Sequence, residues 1–109
     1  AKLLETEMIH SRVPKGIVYI LTNELMPGLV KIGFTAGNPD KRAANITKHW
    51  ALSKPFLVAG YVHTKDPYIV EQRIHTELAD RRINGEFFKI DPEDALVVVR
   101  KHSTQWTSI

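Results

Sequence analysis

Residues 16–35 read GIVYILTNELMPGLVKIGFT, and the predicted sheet starts from these residues. Its two ends, GIVYILT and LVKIGFT, are rich in apolar and β-branched residues, and the Pro27-Gly28 pair between them is typical of a turn. The pattern predicts a β-hairpin. Because side chains alternate across a strand, Lys31 points away from the main apolar row of its strand, which consists of Val30, Ile32 and Phe34.

The elements after the hairpin alternate between helix and strand. Asn38 is a suitable cap for a helix that starts at Pro39 and runs to about His49. KPFLVAGYVHT predicts a third strand, and DPYIVEQRIHTELADRR predicts a long helix whose apolar stripe is Val70, Ile74 and Leu78. EFFKI predicts a short extended segment, and DPEDALVVVRKHSTQW predicts a closing helix.

This order of elements predicts an α/β fold with a small, three-stranded, mainly antiparallel sheet flanked by helices. With 109 residues and 43% hydrophobic content, the chain suffices for one core, so we expect a single domain over residues 15–105. Residues 1–14 are an N-terminal extension in which LLETEMIH predicts a short helix.

Composition excludes several classes of protein and of site. The chain has no cysteine, which excludes disulfides and thiolate zinc sites. It has no apolar run long enough for a membrane span and no signal peptide, so we expect an intracellular protein that is not secreted. The histidines lack the spacing of a zinc site, and no P-loop, dinucleotide-binding or serine-hydrolase motif occurs.

The net charge of +3 is unevenly distributed along the chain. Residues 1–55 hold eight basic and four acidic side chains, whereas residues 56–109 hold seven basic and eight acidic ones. A locally basic half suits a polyanionic partner, although a solvated basic surface fits the charge equally well.

Glu71, His75 and Arg82 fall on one flank of the apolar stripe if the long helix continues to Arg82. A carboxylate there is held rigidly and still reaches the surface, and a metal ligand or an acid/base group needs both properties. Ordinary helix-surface pairing explains the same spacing. Arg42, in the first turns of the preceding helix, is placed to bind a phosphate or to lie solvated at the surface.

Together these residues resemble the GIY-YIG nuclease superfamily. Ile17-Val18-Tyr19 stands as the first motif and Lys31-Ile32-Gly33 as the second, and Arg42 and Glu71 follow in order. The VKIG form of the second motif, the E-x-x-I-H-x-E-L pattern from Glu71 and the closing GEFF resemble a branch found in phage, bacterial and fungal proteins. The second tyrosine of the superfamily is replaced by Lys31, and its late asparagine has no clear match, with Asn84 or Glu86 as candidates.

The resemblance implies a phosphodiesterase site on one sheet face. Tyr19 would be the general base, Arg42 would steady the phosphate, and Glu71 would hold one divalent ion, Mg²⁺ or Mn²⁺. We expect Lys31 to share a sheet face with Tyr19 and to lower its pKa, as a nearby cation favours the tyrosinate. We also predict His75 and Glu86 in the site, His75 by orienting the Glu71 carboxylate or contacting phosphate.

The function predicted from the sequence is therefore a divalent-metal-dependent endonuclease domain that hydrolyses phosphodiester bonds in DNA, with RNA left open. The alternative is a nucleic-acid-binding module on the same scaffold that does not cleave, and a third reading is a protein-interaction domain. Specificity would come from another domain or subunit. The predicted nucleic-acid contacts are Lys31, Lys41, Arg42 and Lys48.

Overall fold

The computed structural model describes the backbone of residues 16–107 and the side chains of residues 16–103. The predicted helix in residues 1–14 lies outside the described residues. The hairpin forms as predicted, with strand β1 at Gly16–Thr22 and strand β2 at Leu29–Thr35. They pair antiparallel, with Tyr19 opposite Gly33 and Leu21 opposite Lys31.

The remaining elements follow in the predicted order. They are helix α1 (Pro39–His49), strand β3 (Leu57–Thr64), helix α2 (Pro67–Glu77), a 3-10 turn (Ala79–Arg81), strands β4 (Arg82–Asn84) and β5 (Phe87–Lys89), and helix α3 (Pro92–Thr107). Asn38 caps α1 as predicted, because its Oδ1 accepts hydrogen bonds from the backbone N–H groups of Asp40 and Lys41 at 2.7 and 3.1 Å. Among the described helices, none has the length and apolar character needed to cross a bilayer.

The sheet has five strands in the order β3-β1-β2-β5-β4, so the predicted three-stranded sheet is too small. The prediction that the second long helix runs to Arg82 is also wrong. The chain leaves the helix after Glu77, and Arg82 lies in β4, where it pairs with Phe88. Gly85, with a φ of +54°, makes the tight turn from β4 to β5. Cross-strand pairing has overridden a sequence pattern that suited a helix.

Helices cover both faces of the sheet. Helices α2 and α3 bury the main apolar row, where Val18, Ile20 and Ile32 pack with Ile74 and Phe88. Helix α1 covers the other face through Ala43 and Ile46, against Ile17, Tyr19 and Leu21. The resulting three-layer arrangement places Tyr19 and Lys31 on the α1 face and Glu71 on the opposite side, so the groups predicted to work together start from different layers.

Candidate active site

The candidate site lies at the edge of the sheet where β5 stops covering β2. Strand β5 pairs with β2 only along Leu29–Lys31. At the next residue, the Ile32 N–H donates to the Glu86 carbonyl at 2.9 Å, and the Ile32 carbonyl accepts from His75 Nε2 at 3.1 Å. Beyond that point, side chains from both faces of the sheet can approach the same stretch of β2.

Gly33 is the residue that lets the two layers meet. It lies opposite Tyr19, and a Cβ on it would fall 2.7 Å from the Tyr19 hydroxyl oxygen and 2.6 Å from Glu86 Oε1. Such distances are far shorter than van der Waals contact. The missing side chain therefore leaves the space in which the Tyr19 phenol and the Glu86 carboxylate lie over β2.

Lys31 shares the sheet face of Tyr19, as predicted, because it precedes Gly33, the residue opposite Tyr19, by two positions on the same strand. Its ammonium donates to Glu86 Oε1 and lies 5.7 Å from the ring centroid of Phe87 and 6.0 Å from that of Trp50. Only 7% of Lys31 is exposed. A charge buried to this degree requires a partner, and Glu86 supplies it.

The pKa of Tyr19 is raised, contrary to the expectation that a neighbouring cation lowers it. Burial is the largest cause, since the residue is only 1% exposed, and the Glu86 and Glu71 carboxylates add to it. The cation that opposes this rise is Arg42, whose guanidinium lies near enough to the phenol to lower its pKa. The predicted pairing of Lys31 with Tyr19 is therefore not found: Lys31 pairs with Glu86, and Arg42 is the cation that lowers the pKa of Tyr19.

Glu71 is buried in α2 with an incomplete set of partners. It is 3% exposed, and its Oε1 accepts a hydrogen bond from Gln72 Nε2 at 3.1 Å. Its Oε2 is buried and has no hydrogen-bond partner in the described part of the chain. Burial, followed by the Glu86 carboxylate, raises the pKa of Glu71 to about 7, against smaller opposing effects of Gln72 and Lys31.

His75 lies one turn after Glu71 and holds the backbone of β2. A carbonyl can only accept, so the contact with Ile32 requires the proton on Nε2. Burial lowers the pKa of His75, and its ring packs on Phe88 with the centroids 4.9 Å apart. Burial favours a neutral ring and outweighs the hydrogen bond to Ile32, which raises the pKa of His75. His75 therefore fixes the edge of β2 under the site, whereas the hydrogen bond to the Glu71 carboxylate comes from Gln72.

Two open concavities flank the edge of β2. One, of about 510 Å³, has Glu71, His75, Arg82 and Glu86 among its lining residues. The other, of about 420 Å³, lies on the α1 side and is lined by Lys31, Arg42, Asn45, Ile46, His49 and Trp50. The structure thus brings Tyr19, Lys31, Arg42, Glu71, His75 and Glu86 to one edge of the sheet.

Two of the predicted nucleic-acid contacts lie elsewhere on α1. Lys41 is exposed in the first turn, and Lys48 lines a separate concavity with Ala44 and Leu52. Six residues after Arg42 corresponds to about 240° around a helix, so Lys48 faces a different direction from Arg42. The structure does not bring Lys48 to the site.

The sequence reasoning missed Trp50 and Gln72. Gln72 donates to the Glu71 carboxylate, and Trp50 lines the concavity beside Arg42. The sequence did contain a signal for Trp50. Arg42, Asn45 and His49 follow the i, i+3, i+7 spacing of one helix face, and Trp50 comes directly after His49. No comparable signal marked Gln72.

The chemistry of the site suits one hard cation. Among residues 16–103, no group of three or more His, Asp or Glu side chains is arranged to hold a metal ion. Mg²⁺, however, is commonly bound through one or two carboxylates, with water and substrate phosphate as the other ligands. The buried Glu71 oxygen without a partner, next to a second carboxylate, fits such an ion.

Comparison with known proteins finds one family. The family model of the T5orf172 domain matches residues 16–103, which is most of the 109-residue chain. No match is found among curated proteins or among solved structures. The matched region contains every residue of the candidate site.

Proposed function

We propose that this chain, which belongs to the T5orf172 domain family, is a divalent-metal-dependent endonuclease domain of the GIY-YIG type acting on DNA. Membership of the family suggests a nuclease-like or DNA-binding module. The observation that carries the finer proposal is the buried Oε2 of Glu71, which has no described hydrogen-bond partner and lies beside the Glu86 carboxylate.

Glu71 would hold the cation, and Glu86 lies close enough to contribute to its field. A divalent ion there would polarise the scissile phosphate and stabilise the leaving oxygen. Glu71 must be ionised to act as a ligand. Its raised pKa therefore predicts that binding of the ion strengthens as pH rises through about 7.

Tyr19 and Arg42 would act on the other side of the phosphate. Tyr19 would first lose its phenol proton to solvent and, as the tyrosinate, would accept a proton from the attacking water. A cation at Glu71 and Glu86 would offset the upward effect of these carboxylates on the pKa of Tyr19, while burial would still oppose its ionisation. Arg42 lies near the phenol, so its guanidinium could bind a phosphate oxygen beside Tyr19. Lys31 holds Glu86 in place through their ion pair.

A plasmid-nicking assay tests the proposal. Wild-type protein with Mg²⁺ or Mn²⁺ should convert supercoiled DNA to nicked circles, and Glu71→Gln should lose at least about a hundredfold in rate, as loss of a principal electrostatic stabiliser does. Glu93→Gln is the matched control, because it removes an exposed carboxylate in the first turn of α3. Equal nicking by wild type and Glu71→Gln would contradict the proposal.

Thermal unfolding supplies a readout independent of cleavage. A ligand that binds only the folded state raises Tm in proportion to the logarithm of its concentration once its site is mostly filled. Mn²⁺ should therefore raise Tm for wild type and Glu93→Gln, more at pH 8 than at pH 6 because Glu71 titrates between them. It should leave Glu71→Gln unchanged. A shift that Glu71→Gln retains would place the ion elsewhere.

A binding module that does not cleave is the second candidate function. The raised pKa of Tyr19 favours it, because a phenol with a high pKa is a poor base at neutral pH. This candidate predicts DNA binding that persists in EDTA and weakens with salt, with no nicking by wild type under either metal.

A further inference from the structure

We propose that the concavity on the α1 side binds a nucleobase stacked on Trp50, so that the substrate presents an unpaired nucleotide next to the cleavage site. The inference rests on the proposed function and deepens it, because it names the class of DNA on which the site acts: single-stranded or locally unwound strands.

Trp50 is exposed in a way that core packing does not require. It is 43% exposed, although it contacts two aromatic residues of the core on this face. Its ring centroid lies 5.8 Å from that of Phe56 at an interplanar angle of 74°, and 5.9 Å from that of Phe87 at 38°. These neighbours hold the indole and leave part of it open to solvent. A ring held in this way loses little conformational freedom when a base stacks on it.

The backbone after Trp50 also fixes this residue. Helix α1 ends with two backbone hydrogen bonds. The Trp50 N–H donates to the Ile46 carbonyl at 3.0 Å, and the Leu52 N–H donates to the Thr47 carbonyl at 3.1 Å. Ala51 takes a φ of +53° to make this closure, an uncommon conformation for a residue with a side chain. Trp50 is therefore positioned by hydrogen bonds on both sides and not only by its ring contacts.

The other residues around Trp50 are those that a nucleotide requires. Arg42 supplies positive charge, and Asn45 and His49 supply hydrogen-bonding groups. Lys31 also lines the concavity, with its ammonium paired to Glu86, and none of the described lining residues is acidic. Arg42 also lies near Tyr19, so a phosphate bound by Arg42 would lie at the border between the concavity and the site. A base on Trp50 and its phosphate on Arg42 would thus belong to one nucleotide or to two neighbours.

The concavity has room for one base. Its volume of about 420 Å³ lies within the range of small-ligand sites. Aromatic side chains beside a positive groove are the common means by which proteins hold single strands, whereas a paired base has both faces covered by its neighbours. Stacking on Trp50 therefore requires a base outside the duplex.

The test measures binding in EDTA, where cleavage does not enter. Fluorescein-labelled single-stranded oligothymidylate is titrated with protein and compared with a strand of equal length that has abasic sites at its central positions. Wild type should bind the strand with bases more tightly by between about fivefold and a hundredfold, the range seen for stacking aromatics. Trp50→Leu, which keeps apolar contact with Phe56 and Phe87, should lose this preference.

Tyr61→Ala is the matched control, because Tyr61 is an exposed aromatic residue on β3 that does not line the concavity. It should keep the preference. Equal affinity of wild type for both strands, or a preference that survives in folded Trp50→Leu, would overturn the inference. If Trp50→Leu does not fold, ultraviolet crosslinking of a 5-iodouracil strand to wild type decides, since the inference requires the crosslink on Trp50 and a crosslink confined to other residues refutes it.

Failure of this inference can be told apart from failure of the endonuclease. Nicking that depends on Glu71, without a preference for bases, removes only the role of Trp50. A base preference that depends on Trp50, without nicking, removes only the cleavage activity. Absence of all binding at low salt would remove both.

Discussion

At the scale of single residues, the site depends on a few groups that are buried at a cost to the folded state. Glu71 and Tyr19 both have raised pKa values, chiefly because burial disfavours their ionised forms. Gly33 stabilises nothing by itself but provides the space in which Tyr19 and Glu86 lie. Groups held under such conditions are more common in functional sites than in ordinary cores.

Stability of the protein in EDTA should carry the signature of Glu71. The pKa of Glu71 is about 7 when folded and 4.5 ordinarily, so its ionisation opposes folding. Its stabilising contribution is complete below about pH 4.5 and is lost as pH rises through about 7. Each pKa unit corresponds to about 1.4 kcal/mol. We expect the free energy of unfolding of Glu71→Gln to rise by about 2 kcal/mol relative to that of wild type between pH 5 and pH 8.

Urea unfolding of both proteins across this pH range measures the difference, which cancels groups common to both, such as His75. Glu93→Gln should follow wild type. A gap between Glu71→Gln and wild type that stays constant with pH would show that Glu71 does not titrate as the structure indicates.

Gly33→Ala should damage the site more than the fold. The added Cβ would fall within 3 Å of the Tyr19 hydroxyl and the Glu86 carboxylate, so at least one must move. We expect a loss of about 1–3 kcal/mol in unfolding free energy, typical of overpacking, and a loss of nicking of at least about a hundredfold. Gly37→Ala is the control, since the nearest atom to its added Cβ is 3.9 Å away. Nicking by Gly33→Ala at the wild-type rate would contradict the close approach of Tyr19 and Glu86 to Gly33.

At the scale of elements, the edge of β2 and the end of α1 decide what the site contains. Strand β5 is short and pairs with β2 only as far as Lys31. At Ile32, the next residue, His75 and the Glu86 carbonyl supply the backbone hydrogen bonds instead. Helix α1 begins at a regular cap and ends on a residue in the left-handed region. The first end places Arg42 beside Tyr19, and the second places Trp50 beside Lys31.

Ala51→Gly should stabilise the protein. Ala51 has a φ of +53°, which costs an ordinary residue roughly 1–2 kcal/mol and glycine almost nothing. Part of this gain is offset because glycine also frees the unfolded chain. We expect a net gain of about 0.5–1 kcal/mol in unfolding free energy. Ala44→Gly, in the exposed interior of α1, should instead lose a similar amount. Destabilisation by Ala51→Gly would contradict the assigned conformation.

At the scale of the whole molecule, helices on both faces of the sheet are what allow the site to form at its edge. Helices α2 and α3 pack on one face around Phe88 and Ile74, and α1 packs on the other around Ile46. Tyr19 and Arg42 come from the α1 side, and Glu71 comes from α2. The two layers meet where Gly33 and the end of β5 leave room.

The distribution of charge over the molecule predicts how salt affects DNA binding. Each phosphate contact contributes about −0.9 to the slope of log K against log salt for duplex DNA and about −0.7 for a single strand. Arg42→Gln should reduce the magnitude of the slope by about 0.7 to 0.9, the contribution of one phosphate contact, and should weaken binding in EDTA. Lys48→Gln, on another face of α1, should leave the slope nearly unchanged. Equal effects of the two variants would contradict the position of the nucleic-acid surface.

Local patterns of the sequence specify the hairpin, the capped start of α1 and the order of the later elements, because alternation, capping and turn chemistry act over a few residues. Tyr19, Arg42 and Glu71 became candidates through the resemblance to the GIY-YIG superfamily. Long-range contacts set the remaining features: the end of α2 at Glu77, the strands β4 and β5, the pairing of Lys31 with Glu86, the approach of Arg42 to Tyr19, and the exposed ring of Trp50. Each of these depends on contacts between residues far apart in the chain, where burial and cross-strand pairing outweigh local preference.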